Sequence, residues 1–401
     1  MLDCSMSHGD IVIVGGGPAG LTTAIALSRL EPRLLSRIVV LERARYPRDK
    51  YCAGAFGRRG EVILEQLDAS PRVPSAPIEG LSMRVQSGER AVRVGPIGRV
   101  VRRIEFDHAL AEIAKSRGIR IEEGTRVDGA TFHARGADLA TSQGTLHASV
   151  VVGCDGVGSV VRRTVGLGTG ALRAQVLEMD TEIVPGDRDR ALLHFDATDR
   201  SFAGYFWDFP TVVGGREMVC RGIYHLRTEG HDDVDIQALM HERLASLGLD
   251  ASKCKNKRFA ERGFEPTSRI AGASWMLVGE AAGIDPVTGE GIAQAAEYGA
   301  LAARFLAETL RGTSQLEGWN DFVASSRLAR DLSVRTWLVQ AFYGAMRPRT
   351  ERLVVEHEDT LRVGCQHFGA LPIDRWRLAR VMLRSARTLA TQAWRDGIGG
   401  Q

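Results

Sequence analysis

Glycine-rich turns and a few well-spaced acids carry the chemistry legible in this chain. Gly15-Gly16-Gly17-Pro18-Ala19-Gly20 is a GxGxxG turn. Gly15 permits the tight bend, Gly17 lets the backbone approach a pyrophosphate, and Gly20 lets the following helix pack closely. A helix beginning there aims free N–H groups and a positive dipole end at the phosphates. Glu42 lies about twenty residues beyond Gly20, where a carboxylate accepts bonds from an adenosine ribose. A carboxylate at that place suits an unphosphorylated ribose, so FAD or NAD rather than NADP. This turn by itself leaves that choice open.

The elements that must position these residues are equally readable. Ile11-Val12-Ile13-Val14 and Ile38-Val39-Val40-Leu41 are short β-branched runs, the pattern of buried parallel strands. Leu21 to Leu27 is a small-residue helical stretch directly after the turn. Two later segments repeat the theme. Ser149 to Gly153 reads as a strand that ends in Cys154-Asp155-Gly156 and turns into a helix start with Ser159 and Arg162. Trp275 to Val278 reads as another buried strand, followed by Gly279-Glu280-Ala281-Ala282-Gly283, Pro286 and Gly289-Glu290-Gly291-Ile292, which open a helix from Ala293 to Leu310.

The joint order of these motifs resembles the FAD-dependent oxidoreductases of the p-hydroxybenzoate hydroxylase superfamily, with their GxGxxG, DG and GD motifs. Within it the chain looks most like the geranylgeranyl reductase-like branch. Lys50-Tyr51-Cys52-Ala53-Gly54 resembles its K-x-C-x-G segment, Tyr205 to Pro210 its YxWxFP segment, and Arg103 to Asp107 its R-x-x-F-D helix start. The resemblance spans about residues 10 to 310. It implies FAD as cofactor, with Arg103 near the phosphates or ribityl chain, and Arg43 and Val127 beside the adenosine. Asp155 and Gly156 would border the cofactor and the nicotinamide approach, and position 280 would meet the ribityl hydroxyls. Here the family's usual Asp is Glu280, one methylene longer. Gly279 is the motif's glycine. A helix starting near Gly289, Gly291 and Ile292 would stabilise negative charge on the reduced flavin, and Pro286 would stiffen the loop facing it.

The rest of the chain sets limits. Its 401 residues, with 44% hydrophobic and 25% charged, describe an ordinary globular protein of two or three domains. Lys+Arg 52 against Asp+Glu 49 gives a net charge of +3, which offers no electrostatic case for nucleic acid. Lysines stand only at 50, 115, 253, 255 and 257; those last three read as a solvated loop. The six cysteines show no CxxC pair, and Met1-Leu2-Asp3-Cys4 does not read as a signal peptide, so a reducing cytoplasmic compartment is expected. No metal site is expected, since His357-Glu358-Asp359 lacks HExxH spacing. His108 reads as structural.

The expected fold is α/β: a Rossmann-like FAD-binding domain with an inserted antiparallel β-sheet substrate domain and a helical C-terminal region. The cofactor domain is expected over 8–70, 100–165 and 268–312, the substrate-binding domain over 71–99 and 166–267, and the helical region over 313–401. Val92, Val94 and Ile97, Leu192 to Phe195, and Val219 to Tyr224 carry the strand periodicity of the insert. Pro348 interrupts one helical stretch and Pro372 precedes the last. In that last helix Arg377, Arg380, Arg384, Arg387 and Arg395 line one face, and Leu378, Met382, Ala386, Leu389 and Ala393 another. It is expected to pack on its own domain by the apolar face with the arginines in solvent. The same pattern is compatible with a peripheral membrane surface or an acidic partner such as a carrier protein.

The expected activity is an NAD(P)H-dependent monooxygenase that oxidises an apolar or aromatic small molecule, free or carrier-tethered, through a flavin C4a-hydroperoxide. That order rests on the common chemistry of the superfamily. Reduction of an isolated C=C bond in an isoprenoid or lipid stands second, supported by Cys52 and Trp207 through the resemblance. A flavin halogenase ranks third, because its WxWxIP is only partly echoed and no GESxxP-like segment follows. A noncatalytic FAD-binding partner is last. No second GxGxxG follows a strand, so NAD(P)H is expected as a transient reductant. Cys52, Tyr205, Trp207 and Pro286 are the pocket and flavin-loop candidates, with Phe209 beside them.

Overall fold

The computed structural model describes residues 11–133, 135–187, 189–227 and 234–398, with the side chains of 388–398 excepted. The expected segment Met1–Cys4 and the side chains of Leu389, Ala393 and Arg395 lie outside the described residues. Two sheets organise the fold. The first runs in the order Ala271–Gly272, Trp275–Leu277, Val150–Gly153, Ile11–Val14, Ile38–Glu42 and Arg120–Glu123. All its pairs are parallel except the edge pair Ala271–Gly272 with Trp275–Leu277. Ile11–Val14 is buried at every position, as an interior strand of a parallel sheet covered on both faces must be.

This sheet explains why motifs far apart in sequence act together. Val12 pairs with Val39 on one side and Val151 on the other, and Val152 pairs with Met276. Three strands from three regions of the chain therefore end side by side, and each ends in one of the glycine turns. The helix Pro18–Leu30 packs against Ile292–Leu310. That contact requires Gly299, where a Cβ would stand 2.7 Å from the Ala19 carbonyl oxygen. A small antiparallel sheet, Val127–His133, Gly136–Thr141 and Gly144–Ala148, completes this half.

The second sheet has eight strands in the order Lys257–Arg262, Arg173–Thr181, Arg216–Arg227, Gly204–Val213, Leu192–Asp196, Ser75–Val85, Gly88–Val101 and Ala55–Gly57. All its pairs are antiparallel but Leu192–Asp196 with Ser75–Val85. The edge strand Ala55–Gly57 comes from within the first expected cofactor segment and joins Gly88–Val101 instead. Along Gly204–Val213 the period of two sends Tyr205, Trp207 and Phe209 to one face and Phe206 to the other. The Phe206 face is covered by the helix Ile236–Ser246 through Ile236, Met240 and Leu244.

Helices Trp319–Ser325, Arg327–Tyr343, Arg347–Glu356, Glu358–Phe368 and Arg375–Ile398 follow. Pro348 sits in the first turn of one of them, where its missing N–H is harmless. Trp319 is fully buried and donates its indole N–H to the Leu277 carbonyl at 2.9 Å, anchoring the helical region to the parallel sheet.

Two expectations are corrected here. Lys257 is no loop residue: it opens an edge strand, is buried, and lies 2.6 Å from Asp180 and 3.7 Å from Glu178. The carboxylates on the neighbouring strand compensate its burial. The last helix turns the other way round from the expected arrangement. Arg377 faces inward and pairs with Asp359 at 3.0 Å, while Trp376 and Met382 are 80% and 65% exposed. An ion pair to the preceding helix, rather than the apolar stripe, sets its rotation.

Candidate cofactor and substrate site

A cavity of about 480 Å³ opens at the strand ends of the parallel sheet. The backbone makes its floor. Gly15 has φ +107°, and a Cβ there would collide with the Cys154 carbonyl. A Cβ on Gly20 would strike the Gly15 carbonyl. Gly17 differs: its backbone is ordinary extended, and a Cβ would meet Arg103 Nη2 at an ordinary contact distance of 3.7 Å. The turn and the guanidinium together border the cavity in which a pyrophosphate would bind.

Arg103 is held in place by Asp107, which accepts from Nε at 2.6 Å and Nη2 at 2.7 Å. Arg48 joins the same network through Asp107 at 2.8 Å, Glu42 at 3.0 Å and the Gly16 carbonyl at 3.0 Å. The two guanidinium groups hold the Asp107 carboxyl below the usual carboxylate range despite its burial. Glu42 ends its strand buried and accepts from the Gly16 N–H at 3.2 Å and the Ala44 N–H at 3.0 Å. Tyr46 also donates to the Gly16 carbonyl.

Among the buried oxygens lining this cavity without a hydrogen-bond partner are Asp155 Oδ1 and Glu280 Oε1. The other Asp155 oxygen accepts from the Val160 N–H at 2.6 Å, and Glu280 is paired with Lys50 at 3.6 Å. Burying an acceptor without a donor is costly, so both oxygens call for a ligand rich in hydroxyls. A ribityl chain answers that need, and the glycine turn, Arg103 and the two acids together fit FAD.

A second cavity, about 270 Å³, lies under the eight-stranded sheet. Its wall is largely hydrocarbon, including Leu81, Met83, Val176, Leu193, Phe195 and Trp207. Trp207 lies across Gly222 on the adjacent strand, a position where any Cβ would strike the indole. The two cavities share Cys52, Glu261, Gly289, Gly291 and Ile292. At this join the helix Ile292–Leu310 begins, with no side chain capping its free N–H groups.

The loop that leads into the join is fixed from all sides. Tyr224 donates to the Pro286 carbonyl at 2.9 Å, Tyr343 to the Val287 carbonyl, and Tyr205 to the Thr288 carbonyl at 2.7 Å. Asp285 accepts from the Val287 N–H at 2.8 Å and pairs with Arg335. Arg335 also reaches Glu290 at 3.2 Å. Tyr205 stacks on Tyr224 with ring centroids 5.3 Å apart. Burial pushes both phenols well above their usual range, so they stay neutral donors.

The sequence candidates fall into groups. Gly15, Gly17, Pro18, Ala19, Glu42, Arg43, Arg103, Val127, Asp155, Gly156, Glu280, Gly289, Gly291 and Ile292 line the cofactor cavity. Gly20 and Gly279 lie behind it; a Cβ on Gly279 would come 2.7 Å from that of Ala19. Tyr205, Trp207 and Phe209 line the second cavity and Cys52 lines both, whereas Pro286 lines neither and packs against Gly263. Sequence reasoning passed over Arg48, Glu261 and Arg335. Arg48 stood two residues before the K-x-C-x-G segment. Glu261 and Arg335 carry no local signal, since each sits in an ordinary amphipathic run. Among the described residues no cluster suits a metal ion.

Nucleotide turn, orphaned acids and adjoining apolar cavity define a flavoprotein oxidoreductase. The chain belongs to the FAD binding domain family, whose model matches residues 8–330, within the p-hydroxybenzoate hydroxylase-like superfamily. It is similar to digeranylgeranylglycerophospholipid reductase 1 of Methanococcoides burtonii, 27% identical over 315 residues that cover 75% of each chain. It is similar to menaquinone reductase of Mycobacterium tuberculosis, 27% identical over 358 residues, 81% of this chain and 82% of that one. Among solved structures it shares the fold of a geranylgeranyl bacteriochlorophyll reductase-like protein from Thermoplasma acidophilum. The TM-score is 0.65, with 20% identity and coverage of 96% of this chain and 98% of that one. The protein is thus an FAD-dependent oxidoreductase.

Proposed function

We propose that the protein reduces isolated C=C bonds in the polyprenyl chain of a lipid. The observation that carries this reading is the commitment of the polar groups around the second cavity. The Tyr205, Tyr224 and Tyr343 hydroxyls are taken by loop carbonyls. Arg335 is taken by Asp285 and Glu290, and Arg347 by Glu351 and the carbonyls of Phe202, Ala197 and Asp199. Apart from Trp207 Nε1 and Glu261 Oε2, little is left to bind or activate a phenol, whereas a hydrocarbon chain gains about 25 cal/mol for each Å² it buries. The names of the two sequence relatives, reductases of polyprenyl-bearing lipids, support the same reading.

FAD, when bound, supplies the hydride, and a visiting NAD(P)H restores it. The protein's own residues hold the ring at the join, exclude water with the hydrocarbon wall, and keep the 285–291 loop rigid. The last helix exposes Trp376, Met382 and Leu383 near Arg380 and Arg384, a face we assign to an anionic lipid surface. No helix among the described residues is long and apolar enough to cross a membrane. The described cysteines are all free thiols, in keeping with a cytoplasmic setting.

Oxygen insertion is the second reading. It is favoured by Trp207 Nε1, a buried indole N–H without a partner that would orient a carbonyl or hydroxyl on an aromatic substrate. The test mixes dithionite-reduced holoprotein, without oxygen, with digeranylgeranylglycerophospholipid or a menaquinone in detergent. Flavin re-oxidation with a mass gain of two hydrogens is expected, the menaquinone being weighed after air re-oxidation of its ring so that only a saturated chain bond keeps the gain. Turnover that needs oxygen and adds an oxygen atom would establish the second reading instead. Neither substrate reacting under either condition would remove both.

A further inference from the structure

Glu261 stands at the join of the two cavities, on the edge strand Lys257–Arg262, and neither reading above uses it. Its Oε2 is buried without a hydrogen-bond partner, and the residue forms no ion pair among the described residues. Gly289 makes room for it: a Cβ there would lie 2.5 Å from Oε2. The facing ionisable groups come from four other elements. They are Lys50 before the edge strand Ala55–Gly57, Glu178 on the neighbouring strand, Glu280 after Trp275–Leu277, and Asp285 in the flavin loop. Lys50 is the sole cation of these, and it is already paired with Glu280 at 3.6 Å.

Glu261 thus faces three other carboxyl groups and one cation, and that cation is paired with Glu280. We propose that Glu261 is kept as a neutral carboxylic acid at the join and donates the proton in C=C reduction. This rests on the alkene-reductase reading. The bookkeeping of atoms is complete. A hydride from the reduced flavin forms a C–H bond at one alkene carbon, and the π pair takes the Glu261 proton to form the second. The Glu261 carboxylate then regains a proton from water, and the oxidised flavin is restored by a nicotinamide reductant. Burial, with the negative charge of Glu280 beside it, pushes the Glu261 carboxyl well above its usual range and so favours its protonated form. An uncharged acid also lies beside a hydrocarbon chain at a far smaller desolvation cost than a carboxylate would.

The test compares wild type with Glu261→Gln, which preserves shape. Infrared spectroscopy of the FAD-loaded protein without substrate at neutral pH should show the C=O stretch of a protonated carboxylic acid, and E261Q should lose that band. FAD retention and reduction by dithionite should be unchanged in E261Q. Its anaerobic re-oxidation by digeranylgeranylglycerophospholipid should slow by about 10²–10³-fold. Wild-type re-oxidation should fall as pH rises through the Glu261 pKa, and the residual E261Q rate should lose that dependence. An ionised Glu261 in the infrared, or an unslowed E261Q, would overturn the proposal while leaving the reductase reading intact. A wild type that reduces no alkene would remove the reading and the donor role together, even with the band present. If E261Q fails to retain FAD, Glu261→Asp serves: a shorter acid should keep the pH dependence at a reduced rate, and its loss would equally overturn the proposal.

Discussion

Replacing Gly17 by Val should abolish FAD retention and leave the apoprotein folded. The backbone there is extended, φ −87° and ψ −175°, a conformation any residue adopts. The nearest atom to a new Cβ is Arg103 Nη2 at 3.7 Å, so the fold has room. The two valine methyls then fill the gap in which the pyrophosphate would lie. Losing two charge-assisted N–H···O bonds, at about 1.5–3 kcal/mol each, removes about 3–6 kcal/mol of binding, or roughly 10²–10⁴-fold in Kd. Gly15→Ala behaves oppositely. It forces an L residue to φ +107° and drives its methyl into the Cys154 carbonyl, at a cost of at least about 1–2 kcal/mol to the fold. The assay titrates FAD into each apoprotein by quenching of flavin fluorescence and follows unfolding of the same samples by circular dichroism. A Gly17→Val protein that binds FAD within threefold of wild type, or one that melts as early as Gly15→Ala, would refute the placement of the pyrophosphate.

Lys257→Met should destabilise the chain by about 3 kcal/mol in urea unfolding, because it removes the cation beside the buried Glu178 and the half-buried Asp180. Stability should also depend on Glu178, which burial pushes from 4.5 to about 7. The native state holds a proton that the unfolded chain releases above about 4.5, so stability falls as pH rises from there to about 7. Glu178→Gln should flatten that slope between pH 5 and 8, and an unchanged slope would exclude Glu178 as its source. Asp285→Asn should loosen the flavin loop, since it weakens the contact with Arg335 and the acceptor of the Val287 N–H. A fall in FAD affinity of about tenfold, with protease sensitivity appearing near 285–291, is the expected result; unchanged affinity and protection would show that the three tyrosines suffice.

Much of the cofactor half was legible because its signals are local. A strand, a glycine turn and a helix lie within about twenty residues, and each glycine has its own steric reason. The same holds for Asp155-Gly156 and Gly279-Glu280, whose turns follow β-branched or aliphatic runs. The inserted sheet was visible in its period of two, and Tyr205, Trp207 and Phe209 do share a face. Two expectations failed for a common reason. Lys257 looked solvated among neighbouring lysines, yet strand pairing carries it under Asp180. The last helix showed a clean apolar stripe, yet the pairing of Arg377 with Asp359 turns that stripe outward.

The residues within one turn or one strand, with their φ preferences and side-chain period, are enough to specify the dinucleotide turn, the sheet strands and the family. Such effects act over a few bonds and leave a pattern in adjacent letters. The join of the two cavities has no such pattern. Cys52, Glu261, Gly289 and Ile292 meet there because separate strands close against one another, and a carboxyl's charge depends on which cation that closure leaves free. Glu280 receives Lys50 and Glu261 does not, a difference set by distances across space that adjacent letters do not encode.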